Sequence, residues 1–175
     1  MSAPVCPDPL RKRGHDRARA AAAARRAEAD ARGLDAGFIA ALVERFYGRI
    51  RGDAVLGPIF TAHIADWPAH LARMNQFWRS ILHGSGEFSG NPMQKHLALP
   101  GLDAAAFSHW LELFYATLRE LAAEHDLDPV AAAMVAQRAR MIADSLLTGI
   151  SVREQGIAGA RAGDALPQFA PAVQP

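Results

Sequence analysis

Apolar residues three and four positions apart recur along most of this 175-residue chain, and that spacing constrains the fold more than any single motif. Phe38, Ile39, Leu42, Val43, Phe46, Tyr47 and Ile50 share one helical face, with Asp35 before them as N-cap and Gly52 after them as a C′ residue. A second stripe is Trp67, Leu71, Met74, Phe77, Trp78, Ile81 and Leu82. Asp66 caps it, and Pro68 falls in the first turn, where a missing N–H costs little. A third helix starts after Asp103 and carries Phe107, Trp110, Leu111, Phe114, Leu118 and Leu121. A fourth opens at Asp128-Pro129 and runs through Met134, Val135, Met141, Ile142 and Leu146 to Gly149. A short segment begins at Pro92 and closes before Pro100, and the link from Asp53 to Phe60 reads as irregular. Composition agrees: 37 Ala and 17 Leu stand against 18 Val, Ile and Thr together, which favours helix over sheet. The spacing predicts an all-α protein of four long helices and one stub.

These patterns occupy residues 34–152, a body of the size of one domain. Residues 1–33 differ, with eight Lys or Arg against four Asp or Glu, a local +4 within a chain of net charge +1. Five consecutive alanines follow Arg17-Ala18-Arg19, and Arg25-Arg26 follow them. With almost no large apolar residue to offset ordering entropy, this extension reads as disordered or loosely helical. A basic arm for nucleic acid or acidic lipid is the lesser reading, since no aromatics interleave the charges. Residues 153–175, with Pro167, Pro171 and Pro175, read as a disordered tail. Mean hydropathy near zero, without a long uncharged apolar run, argues against a membrane span. A lone cysteine, Cys6, excludes an internal disulfide framework and a cysteine-rich zinc site. No secretory signal is evident at the start, so a cytoplasmic location is the default expectation.

Seven histidines are the strongest metal ligands available. His70 lies one turn before Met74 and two before Phe77 and Trp78, on the apolar stripe of its helix. His96 stands on the short Pro92 segment, ahead of Leu97 and Leu99. His83 and His125 fall near helix C-termini, where a cation meets the dipole favourably. His63 is in a link, His15 in the extension, and His109 points about 100° away from Trp110. Taken singly, a histidine on an apolar face is more often a core residue than a ligand. Catalytic motifs are absent: no G-x-S-x-G elbow, no P-loop, no H-E-x-x-H and no dinucleotide fingerprint. What is unusual is the aromatic content of so small a body. Phe46, Tyr47, Phe60, Trp67, Phe77, Trp78, Phe107, Trp110 and Phe114 exceed what its core needs, and a large flat apolar cofactor would explain the surplus.

Several strings in order are similar to those of group III truncated haemoglobins. They are Phe46-Tyr47, Leu56-Gly57-Pro58-Ile59-Phe60, Trp67-Pro68-Ala69-His70, Phe77-Trp78, Phe88-Ser89-Gly90-Asn91-Pro92 with His96-Leu97, and Trp110-Leu111-Glu112-Leu113-Phe114. The resemblance covers about residues 34–152 and neither end. It implies a truncated globin fold, two helices packed over two around haem b. His96 corresponds to the proximal iron ligand, whose second ring nitrogen should donate to a backbone carbonyl. Phe60 corresponds to an aromatic that packs on the porphyrin, with Phe77 and Trp78 also against the cofactor. Tyr47, His70 and Trp110 correspond to the distal positions that stabilise a ligand by hydrogen bonding, His70 acting as donor or as gate. Two features depart from the family pattern. Only six residues, Thr61 to Asp66, separate Phe60 from Trp67, which should alter how the pocket edge closes, and the basic extension has no counterpart.

Three functions follow from these readings. The first is a haem globin that reversibly binds a diatomic gas, O2 above all, or NO or CO. The second is a haem enzyme that turns over NO or peroxide; the chain has no flavin or nicotinamide motif, so this would require an external reductase as partner. The third, a haem-free helical module, leaves His96 and the polar distal trio without a purpose, and an unpartnered buried polar group costs about 1–3 kcal/mol.

Overall fold

The computed structural model describes residues 9–171, with side chains from Asp16 onward. Cys6 and the side chains of Arg11, Lys12, Arg13 and His15 lie outside the described residues. Among those described there is no strand. The helices are α1 (Pro9–Ala31), α2 (Ala36–Gly52), α3 (Leu56–His63), α4 (Trp67–Leu82), α5 (Pro92–Leu97), α6 (Ala104–Glu124) and α7 (Pro129–Gln155). A 3-10 helix, Gly156–Arg161, follows directly. The all-α expectation holds.

Aspartates start the long helices, as their spacing predicted. Asp35 accepts from the Phe38 N–H at 2.8 Å, Asp66 from Ala69 at 2.9 Å, Asp103 from Ala106 at 2.8 Å and Asp128 from Val130 at 2.9 Å. Each satisfies one of the N–H groups a helix start leaves free, an effect of about 1 kcal/mol. The pairs α2 with α4 and α6 with α7 form the two layers, joined where α2 crosses α6. Fully buried Phe38, Phe46 and Ile50 of α2 meet Leu111, Phe114, Leu118 and Leu121 of α6. The first half of α7 buries mostly small side chains, Ala131, Ala132, Ala136, Ala139 and Ala143, so its backbone approaches closely, while Val135, Leu146, Leu147 and Ile150 fill the core beside them.

Four expectations need correction. Asp53 to Phe60 is not an irregular link, because α3 starts at Leu56. Its Pro58 sits in the first turn, where no N–H is needed. Gly57 is required for close approach, since a Cβ there would stand 3.1 Å from the Ile50 carbonyl oxygen. Gly52 is no left-handed C′ residue; it ends α2, and Asp53 takes the cap position with φ −79°. The last helix does not stop at Gly149 but continues to Gln155.

The segment after it is no disordered tail through the described residues. Gly159 packs on the Ser151 backbone where a Cβ would not fit, Leu166 is buried, and Phe169 lies 5.4 Å from the Tyr115 ring. The Tyr115 hydroxyl donates to the Pro167 carbonyl at 3.1 Å. Two isolated apolar anchors are enough to hold a Pro- and Gly-rich stretch against α6 and α7. At the other end α1 is a regular helix. It touches the body through its last turn, where Ala29 and the following Leu34 are buried and His83 donates to the Leu34 carbonyl at 2.6 Å.

Candidate functional site

The apolar stripe of α4 is where the site begins. Seven of its residues read as inward, yet only Trp78 and Leu82 are buried. Leu71, Met74, Phe77 and Ile81 pack on the edge of the core while remaining partly exposed. On α5 no residue is buried, and Met93, His96 and Leu97 are in the same half-covered state. Two elements therefore keep large apolar side chains that the rest of the chain does not cover. Beside them lies a cavity of about 520 Å³, lined by Phe77 and Ile81 of α4, Pro92 and Met93 of α5, and Ile142 and Leu146 of α7. That volume is typical of small-molecule sites. Tyr47, His70, His96 and Trp110 do not line this cavity.

His96 is held by local structure. Asn91 caps the six-residue α5 by accepting from the Gln94 N–H at 3.0 Å, and Pro92 fixes the first turn. The His96 Nδ1 lies 2.8 Å from the Pro92 carbonyl oxygen, which can only accept, so Nδ1 carries the hydrogen. In the neutral ring Nε2 then keeps its lone pair, the tautomer a metal requires. The Phe107 ring of α6 lies 6.5 Å from the imidazole, tilted by 35°.

Tyr47 of α2, Phe60 of α3 and His70 of α4 come together in a second cluster. The Tyr47 ring is 5.0 Å from His70 and 6.0 Å from Phe60, both edge-on. Burial alone pushes the Tyr47 phenol well above its ordinary pKa of 10, so it stays a neutral O–H donor. Burial, with Arg73 next, lowers the His70 pKa from 6.5, so its ring is neutral near pH 7. The His70 Nε2 is buried and has no hydrogen-bond partner. Arg51 lies over Trp67, 5.1 Å from the ring centroid.

Trp110 of α6 enters through a relay of rings. It meets Phe46 edge-on at 5.2 Å and stacks on Phe114 at 5.4 Å; Phe114 in turn stacks on Trp78 at 5.2 Å, and Trp78 meets Phe77 at 5.7 Å. Phe46 and Tyr47, 5.1 Å apart, link this relay to the distal wall. Sequence reasoning counted Phe107 and Phe114 among the surplus aromatics without giving them a place; their spacing on the Trp110 face was the available signal. His109 also turns away from Trp110 as its phase requires, and finds Asp53.

These residues fit a haem. No group of three or more His, Cys, Asp or Glu gathers to hold a bare ion among the described residues. A single His donor such as His96 would suit a metal already carried in a macrocycle. The half-covered apolar faces supply a bed for the ring, and His70 offers a buried polar atom that lacks a partner.

Comparison with known proteins agrees. The sequence profile of the bacterial-like globin family matches residues 30–144. The group 3 truncated haemoglobin ctb of Campylobacter jejuni is 38% identical over 109 residues, 60% of this chain and 82% of that protein. The crystal structure of a group III truncated haemoglobin from Campylobacter jejuni superposes with a TM-score of 0.59 at 30% identity, covering 79% of this chain and 95% of the other. None of the described helices is long and apolar enough to cross a membrane. The chain belongs to the bacterial-like globin family, among the group III truncated haemoglobins, and is a haem-binding globin.

Proposed function

We propose that this globin carries haem b with His96 as the single protein ligand to iron, and that it binds O2 reversibly at a polar pocket made by Tyr47, His70 and Trp110. The haem supplies an iron with one open position for a diatomic gas. His96 anchors and orients it. The carbonyl of Pro92 holds the imidazole in one tautomer and raises its basicity as a ligand. Phe60, Phe77 and Trp78 bound the apolar bed and exclude water.

On the opposite side Tyr47 and Trp110 each present a hydrogen that can only be donated there. A neutral buried phenol and an indole N–H, fixed by surrounding rings, favour a polar diatomic ligand such as O2 over the less polar CO. The observation that carries this reading is the buried, unpartnered Nε2 of His70 at the edge of the Tyr47 ring. A polar atom left so in a folded core costs about 1–3 kcal/mol unless a ligand engages it.

The test is an absorption spectrum of the purified, haem-loaded protein, oxidised and reduced, with and without CO, followed by O2 release from Tyr47→Phe and Trp110→Phe. A Soret band that shifts with CO, and release faster by about tenfold in either variant, is expected for the loss of one good donor. Absence of the band refutes the haem assignment. Unchanged release in both variants refutes the polar pocket.

A further inference from the structure

Two distal residues and one aromatic of the apolar bed sit on separate helices: Tyr47 on α2, Trp110 on α6 and Phe60 on α3. One residue, Asp53, bonds to all three helices, to α2 through its main chain and to α3 and α6 through its carboxylate. Asp53 closes α2 by donating its N–H to the Ile50 carbonyl at 3.1 Å, and its own carbonyl accepts from Gly57 of α3 at 2.9 Å. Its Oδ1 accepts from the N–H groups of Val55 and Leu56 at 2.9 and 2.8 Å, starting α3. Its Oδ2 accepts from the His109 Nε2 of α6 at 2.8 Å. The Asp53 side chain is 15% exposed and that of His109 32%, so the pair is partly shielded from water. The Leu56 N–H, ahead of His109, holds the Asp53 carboxyl below its ordinary pKa, so it is ionised at neutral pH.

His109 immediately precedes Trp110, and no covalent path shorter than the whole of α4 and α5 joins α3 to α6. α2 and α6 are also tied by Arg45 to Glu124 at 2.6 Å and by Arg49 to Glu120 and Thr117. Those ties hold two helices together. Among the described residues only the Asp53–His109 tie also takes in α3, and only it includes a residue adjacent in the chain to a distal residue, Trp110.

We propose that Asp53 and His109 form a positioning brace that sets Trp110 against Tyr47 and Phe60, and so sets how long a gas ligand is retained. The inference rests on the reading of Tyr47 and Trp110 as ligand donors. Neither braced residue touches the ligand; both act through the helices they join. His109→Leu removes the donor and leaves a good helix former. His109→Gln restores a donor of similar reach. Asp53→Ser keeps a capping oxygen for α3 that is too short to reach His109.

The experiment measures O2 release and the stretching frequency of bound CO in the haem-loaded, full-length protein. It compares these three variants with Arg45→Ala, Trp110→Phe and Tyr47→Phe. His109→Leu and Asp53→Ser should release O2 roughly five- to tenfold faster and shift the CO band, while His109→Gln returns both towards wild type. Arg45→Ala should alter neither. Wild-type release and CO frequency in His109→Leu and Asp53→Ser, with faster release in Trp110→Phe, overturns the brace and leaves the donor reading intact. If Trp110→Phe and Tyr47→Phe also leave release unchanged, the donor reading and the brace fall together. Equal effects from Arg45→Ala would reduce the brace to one helix tie among several and overturn it.

Discussion

The two sides of the proposed haem site, distal and proximal, are built in opposite ways. On the distal side Tyr47 is buried, and Trp110 leans on Phe46 and Phe114, both almost fully buried. Long helices carry these residues, and their positions follow from the packing of the whole core. On the proximal side His96 rides on six residues of α5, none of them buried, held by the Asn91 cap and the Pro92 carbonyl. Core packing fixes one wall; the other depends on short-range hydrogen bonds and on contacts with α7, among them Arg153 donating to the Leu97 carbonyl at 2.9 Å. The distal wall should therefore be rigid and costly to alter, whereas the proximal helix can be perturbed with little loss of global stability.

Phe114→Ala tests the first half of that contrast. Phe114 is fully buried between Phe46, Trp78 and Trp110, so its truncation should cost about 3–5 kcal/mol in denaturant unfolding. A loss below about 1 kcal/mol would mean that the ring relay does not set the distal wall. The matching change on the proximal side is Asn91→Ala. It removes the α5 cap, worth about 1 kcal/mol locally. Amide exchange across residues 92–98 should accelerate while the midpoint of global unfolding barely moves. A large fall in that midpoint would make α5 part of the core and erase the contrast.

The smallest expected effect concerns pH. Burial lowers the His70 pKa from 6.5, so the folded state favours the neutral ring. The stability this contributes is fully present above the unfolded value near 6.5 and is lost as pH falls towards the depressed folded value. Denaturant midpoints of wild type and His70→Gln should run parallel above that pH and diverge below it, with wild type the steeper. Parallel curves throughout would place His70 in solvent rather than in the wall.

How much of this was legible in sequence follows the same division. Caps and stripes made α2, α4, α6 and α7 readable, because Asp35, Asp66, Asp103 and Asp128 act on neighbours within the chain. α3 was missed because its signal, Asp53, spends its carboxylate on three partners, one of them on a distant helix. The segment after Gln155 looked like a tail because Leu166 and Phe169 show no period; only their contacts in the fold make them anchors. Apolar spacing on α4 indicated which residues are greasy, not what covers them. Leu71, Met74, Phe77 and Ile81 turned out to be the uncovered ones. His83 was read from its place at a helix end, and its burial against Leu34 depends on α1 docking, which no local pattern reveals.

The central claim is that His96 alone among the side chains holds the iron. Ferrous spectra of wild type and His96→Gly, with and without added imidazole, test it most directly. The account predicts loss of the wild-type ferrous bands in the variant and their return when imidazole fills the space, with the apoprotein still folded. Wild-type bands in His96→Gly without imidazole would contradict it.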